Sequence, residues 1–227
     1  GAIGGSVHLN TQLEFIKQQE HNLFLQYGSF NTRDARYQFK LGTEVYSLSI
    51  ALAHNRSDND YDYPDGGTNL NGDFQNTALN VGLGFKLSRQ HSLRFFSEVF
   101  DGERHFSLIR ASETRTKYDD LNTKNLLEWE YDFSNFTSIA RLAYLEEYYK
   151  YFGNLDSDNF SFGKAKTTIA KYDLTYAFSE ALSINSVLTN TYTLGEGSSL
   201  GDNDRNIFSA AVLMKHQLKN ELDYELG

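Results

Sequence analysis

The sequence predicts an all-β protein, an antiparallel transmembrane β-barrel. Three observations carry that prediction. Apolar and polar residues alternate with period two through segments about 9 to 11 residues or more in length, enough to cross a bilayer at a tilt. The connections between them alternate between short and long. The composition is rich in strand formers, with 15 Tyr and 17 Phe against one Met and one Pro in 227 residues.

The alternation is clear from Val45 to Asn55, where Tyr46, Leu48, Ile50 and Leu52 interleave with Ser47, Ser49, Ala51 and Ala53. From Thr77 to Leu87 the apolar set is Leu79, Val81, Leu83, Phe85 and Leu87, and the intervening residues include Asn80, Gly82, Gly84 and Lys86. Around the sole tryptophan, Leu127, Trp129, Tyr131 and Phe133 alternate with Glu128, Glu130 and Asp132. The stretch Phe136 to Phe152 is the least regular; Arg141 and Glu146 mark its inner side if Ala140, Leu142 and Tyr144 face out. Ala170, Tyr172, Leu174, Tyr176 and Phe178 then alternate with Lys171, Asp173 and Thr175. Phe208, Ala210, Val212 and Met214 follow, and Leu222, Tyr224 and Leu226 repeat the pattern at the end. On this reading the apolar sets face lipid, and Glu128, Glu130 and Asp173 are solvated lumen wall. Tyr27, Trp129, Tyr131, Tyr176 and Phe178 form interfacial aromatic girdles.

Short connections are expected at Gly42 to Glu44, Ser88 to His91, Ser134-Asn135, Ser179 to Ala181 and Lys219-Asn220. Long ones are expected at Ser57 to Asn76, Glu103 to Asp120, Gly153 to Ala165 and Gly195 to Arg205. Tight turns at one end and extended loops at the other characterise outer-membrane barrels. The competing reading is a soluble or surface-attached β-sandwich binding module, since period two also describes an antiparallel sheet with one wet face.

The 30 Asp and Glu against 21 Lys and Arg give a net charge of -9, which excludes the basic footprint of a nucleic-acid-binding domain. The absence of Cys excludes disulfide scaffolds, thiolate metal sites and thiol nucleophiles. No nucleophile elbow, phosphate loop or zinc motif is present, so the expectation is that the protein is not an enzyme.

Gly1-Ala2-Ile3-Gly4-Gly5, followed by Val7 and Leu9, resembles the end of the plug domain in TonB-dependent outer-membrane receptors. The similarity continues through Gln26-Tyr27-Gly28-Ser29-Phe30, the loop Asn59 to Asp65, Lys117 to Asn122, Leu126 to Trp129 and Asn159 to Lys166. It covers nearly the whole chain and is most specific at its start. The resemblance implies plug residues over 1–15 and the first half of the barrel over 16–227, about ten strands and the start of an eleventh out of about 22. The energy-coupling box, most of the plug and the closing strands are missing from the sequence. The resemblance also implies a Gram-negative outer-membrane transporter for a ferric siderophore, haem or cobalamin, powered by the TonB coupling complex. Half a barrel with two open strand edges is expected not to transport by itself.

Two sets of residues are candidate sites. Asp58, Asp60, Asp62 and Asp65 crowd one long loop, and closely spaced carboxylates with carbonyl oxygens suit calcium, which cobalamin receptors of this family carry on a loop in the same place. Asp- and Asn-rich external loops also occur for solubility alone. Arg104, His105, Arg110 and Arg115 make the second long loop the most basic, suited to an anionic chelate or to haem propionates, with His105 and His54 as candidate haem ligands. An exposed charged loop is the plainer reading of the same residues.

Overall fold

The computed structural model describes residues 13–64, 66–110, 112–218 and 222–226. The Gly-rich start, most of the 1–15 plug assignment and Asp65 lie outside the described residues. Strands β1 (Gln18–Tyr27), β2 (Arg33–Gly42), β3 (Tyr46–Ser57), β4 (Phe74–Lys86), β5 (His91–His105) and β6 (Lys117–Phe133) follow in order. They continue as β7 (Phe136–Phe152), β8 (Ser161–Ala177), β9 (Leu182–Gly197), β10 (Leu200–Leu218) and β11 (Leu222–Leu226). All belong to a single 11-stranded sheet in sequence order, antiparallel throughout, with β1 and β11 as its edges. A sandwich needs a second sheet, and the described residues contain none. The chain is an unclosed wall of an antiparallel barrel.

The registry fixes which residues share a face. Leu48, Leu83, Phe95, Leu127, Leu142 and Ala170 form one continuous cross-strand row. Leu127 and Leu142 remain 42% and 53% exposed there, because none of the described residues covers them. A one-residue shift in register would turn this apolar row to the opposite face, so the greasy surface itself specifies the pairing. Toward the short-turn end the same face becomes aromatic. His91 stacks on Trp129 and Tyr131, Tyr131 contacts Phe133 and Phe136, and Tyr176 meets Phe178. Amphipathic rings concentrate at that level of a membrane barrel.

The opposite face carries Gly82, Gly84 and Arg94, and the segment before β1 lies against it. A Cβ at Gly82 would stand 3.0 Å from Leu13, and one at Gly84 would stand 2.9 Å from the Phe15 ring. The Lys86 ammonium sits 5.0 Å from the centre of the same ring. Among the described residues, the segment before β1 lies against the polar face, which marks that face as the lumen.

The inner carboxylates are not a freely solvated wall. Arg94 reaches Glu128 at 2.9 Å and Glu130 at 2.6 Å, and Arg141 reaches Glu128 and Asp173, both at 2.6 Å. Lys171 adds a 3.2 Å contact to Asp173. Four strands are thereby joined through one chain of opposite charges, half-buried, where each partner offsets the other's desolvation. Two further expectations are corrected. Glu146 shares the outer face with Tyr144, because strand parity cannot place Arg141 and Glu146 together. Its carboxylate meets Lys164 at 2.7 Å above the apolar band. The expected long loop Gly195 to Arg205 is a strand continuation: β9 and β10 pair out to Gly197 and Leu200, with an irregularity between Leu200 and Asn203.

Candidate functional site

The site candidate lies at the long-loop end of β3 to β7, where two loops fold onto each other. Residues 58–73 and 106–116 are joined by two asparagines that are almost fully buried, Asn69 at 0% and Asn71 at 1% exposure. The Asn69 side-chain oxygen accepts from Tyr63 Oη, Asn71 N and Leu108 N at 3.2–3.3 Å. Its amide donates to Asn59 O and Ser107 Oγ. Asn71 donates to the Phe106 carbonyl at 2.8 Å and the Thr116 carbonyl at 3.0 Å, so a single amide ties together both ends of the second loop. Backbone groups without a ladder partner need such satisfaction once buried. Gly72 is required beside them, since a Cβ there would stand 2.8 Å from the Asn59 carbonyl oxygen.

On the lumen side, this scaffold presents an aromatic and guanidinium cluster. Arg104, Tyr118 and Tyr151 are cross-strand neighbours on one inner row. Tyr118 stands edge-on to Phe106 with ring centres 5.4 Å apart, and lies 5.7 Å from Tyr149 and 4.9 Å from Tyr151. The Arg104 guanidinium lies 5.8 Å from Phe106 and 5.6 Å from Tyr118, with Asp120 at 3.8 Å. Gly163 lets the Tyr149 ring lie over β8, where a Cβ would stand 2.8 Å from ring atom Cζ. Flat π faces beside a delocalised cation favour aromatic and anionic ligands.

Of the expected basic set, only Arg104 belongs to this cluster. His105 points to the opposite face, where Nδ1 is 2.9 Å from Asp73. Arg110 is exposed, its carbonyl accepting the Glu113 N–H in the loop. Arg115 leaves for Asp156, 2.9 Å away on the next loop. His54 binds Thr77 Oγ1 on the outer face. The loop aspartates are also apart. Asp58 is held by Asn31 and Arg56, Asp62 accepts from Thr68, and Asp60 is the third described member. The tyrosines were absent from the sequence-based candidates although their signal was present. Even-numbered positions of β6 are inner once Leu127, Trp129 and Tyr131 are outer, and Tyr118 follows by counting in twos.

No protein-family model and no curated protein sequence matches this chain. Among solved structures, the copper transporter OprC is similar over 92% of this chain and 44% of its own, with TM-score 0.50 and 12% identity. BauA, the ferric preacinetobactin receptor from Acinetobacter baumannii, is similar over 90% of this chain and 41% of its own, with TM-score 0.58 and 9% identity. The chain thus spans less than half the length of either. At such low identity the likeness speaks for the fold alone: an antiparallel barrel wall like part of each of these two proteins.

Proposed function

We propose that this chain forms part of a Gram-negative outer-membrane uptake receptor for a scarce nutrient chelate. The ligand contacts the Arg104, Phe106, Tyr118, Tyr149 and Tyr151 cluster at the external mouth, and the TonB coupling complex supplies the energy of import. The observation that carries this reading is the position of the cluster: on the inner face, at the loop end, held by buried amides that leave the rings preorganised. The apolar outer row and aromatic girdle support contact with outer-membrane lipid. The cluster's chemistry favours a chelate with aromatic or anionic groups, such as an aromatic ferric siderophore or haem, over cobalamin.

The test is binding and accumulation of radiolabelled ferric siderophores, haem and cobalamin by cells producing the protein, compared with Arg104→Ala and Tyr118→Ala variants. Loss of a desolvated cation–π or stacking contact should weaken ligand binding about tenfold, roughly 1.4 kcal/mol. Binding of all three ligands unchanged in both variants would rule out this mouth as the binding surface.

A further inference from the structure

We propose that Asp73, Glu103 and His105 bind a divalent first-row cation of the zinc class on the outer side of the wall, above the apolar band. The proposal is independent of the uptake reading, since these side chains face away from the lumen. Their ligand atoms lie within 4.8 Å of one another, the one group of three such residues among those described. Registry assembles them: Glu103 and His105 are two apart on β5, and the His105 N–H donates to the Asp73 carbonyl at 3.0 Å beside β4. Two ligands on one strand and a third clamped by the adjacent backbone make a prepared site.

A second observation points to a ligand. The buried side-chain atoms without a hydrogen bond among the described residues are His105 Nδ1 and Asp119 Oδ1, and both lie in this cluster. Asp119 is the cross-strand partner of Glu103, and Lys117 that of His105. His105 Nδ1 stands 2.9 Å from Asp73 Oδ2 without making a hydrogen bond, and the His105 side chain is 13% exposed. Asp119 Oδ1 has the Lys117 ammonium 3.0 Å away, which leaves the His105 nitrogen as the buried polar atom whose hydrogen-bonding capacity is unused, and buried polar atoms ordinarily find partners. Three carboxylates, Asp73, Glu103 and Asp119, share this face with two ammonium groups: Lys117, which contacts Glu103 at 2.6 Å and Asp119 at 3.0 Å, and Lys150, the cross-strand partner of Asp119. Negative charge in excess remains for a divalent ion.

The donor set narrows the cation. Calcium takes six to eight oxygens and magnesium an oxygen octahedron, whereas an imidazole nitrogen with carboxylates suits zinc and its first-row neighbours. Tetrahedral bonds of about 2.0–2.2 Å place donor atoms roughly 3.4 Å apart, so the three side chains need only draw inward along the existing ladder. Zinc at this position would pin β4 to β5 beneath the loops.

The experiment uses the purified protein in detergent, stripped with chelator and titrated with zinc alone by calorimetry, then with cobalt(II) as an optical probe. One equivalent should bind, with affinity at least tenfold lower in His105→Ala and in Asp73→Asn, while Arg110→Ala binds as the unaltered protein does. Circular dichroism of each variant confirms that the sheet persists. His105→Cys supplies a second readout that a structural defect would not mimic, a thiolate-to-cobalt absorption band in the near ultraviolet. Absence of stoichiometric zinc binding, or undiminished binding in His105→Ala, or a cobalt complex of His105→Cys without the thiolate band, overturns the proposal.

Discussion

The two ends of this wall are built on different principles. At the short-turn end, connections such as 43–45 and 134–135 let each strand find its neighbour locally. Lipid-facing rings and the Arg94–Glu128–Arg141–Asp173 chain then reinforce pairs that registry already specifies. At the loop end, order comes from long-range groups: Asn69 meets Leu108 and Asn71 meets Thr116 across separations that no turn geometry dictates. The contrast teaches that one surface can be stabilised by its solvent while another is stabilised by satisfied amides. The turn end and band should respond to changes in apolarity; the loop end should respond to single hydrogen-bonding atoms.

The largest effect expected is at the middle of the band. Leu83 shares the outer row with Leu48 and Phe95, so Leu83→Arg places a charge against lipid and should cost about 2–4 kcal/mol of barrel stability. Asn80, on the inner face, should accept Arg at little cost. Urea unfolding from vesicles, followed by the fluorescence of Trp129, the one tryptophan, measures both variants. Equal losses at positions 80 and 83 would mean that the apolar face is not the lipid face.

A smaller and more local loss is expected at Asn69. Replacing it with Leu removes the acceptor for the Leu108 and Asn71 N–H groups and the donor to Asn59 and Ser107. Each buried group left unpaired costs about 1–3 kcal/mol. Amide exchange should accelerate in residues 58–73 and 106–116 while strands at the turn end keep their protection. A comparable acceleration in β8 and β9 would show that the two ends are one cooperative unit and remove the distinction.

Period two made most of this wall legible. The outer row through Leu83 and Leu127, the girdle around Trp129 and the inner position of Lys86 all follow from alternation once one strand is assigned. Alternation carries no information about partners, so the inner acids were readable as a polar set but not as the ion pairs they form with Arg94 and Arg141. The basic loop residues looked like one site because they are near in sequence, yet adjacent residues of a strand face opposite sides, which separates Arg104 from His105. Asn69 and Asn71 were invisible for a different reason: an asparagine in a polar loop has the same one-dimensional appearance whether it is solvated or buried. The Gly195 to Arg205 stretch looked like a loop because its glycines and charges resemble turn chemistry. Its strand state depends on neighbours that the local pattern does not contain.

The smallest effect separates the two ends by pH. Asp58 lies just past β3, outside the apolar band, where Asn31 Nδ2 donates to it at 2.9 Å and Arg56 at 3.2 Å. These contacts, the asparagine first and then the arginine, hold its carboxyl below the usual carboxylate range. A carboxylate whose pKa is lowered by folding stabilises the folded form above its unfolded pKa, about 4, and that contribution disappears as pH falls through the lower folded value. The β1–β2 turn at residues 28–32 should therefore loosen from the 58–73 loop in acid, while the apolar row through Leu48, Leu83 and Leu127 remains paired. Following the Asn31 side-chain amide resonance from pH 6 downward checks this, with Asp58→Asn as the comparison. An Asn31 signal that moves identically in both proteins would show that the carboxylate does not hold the turn.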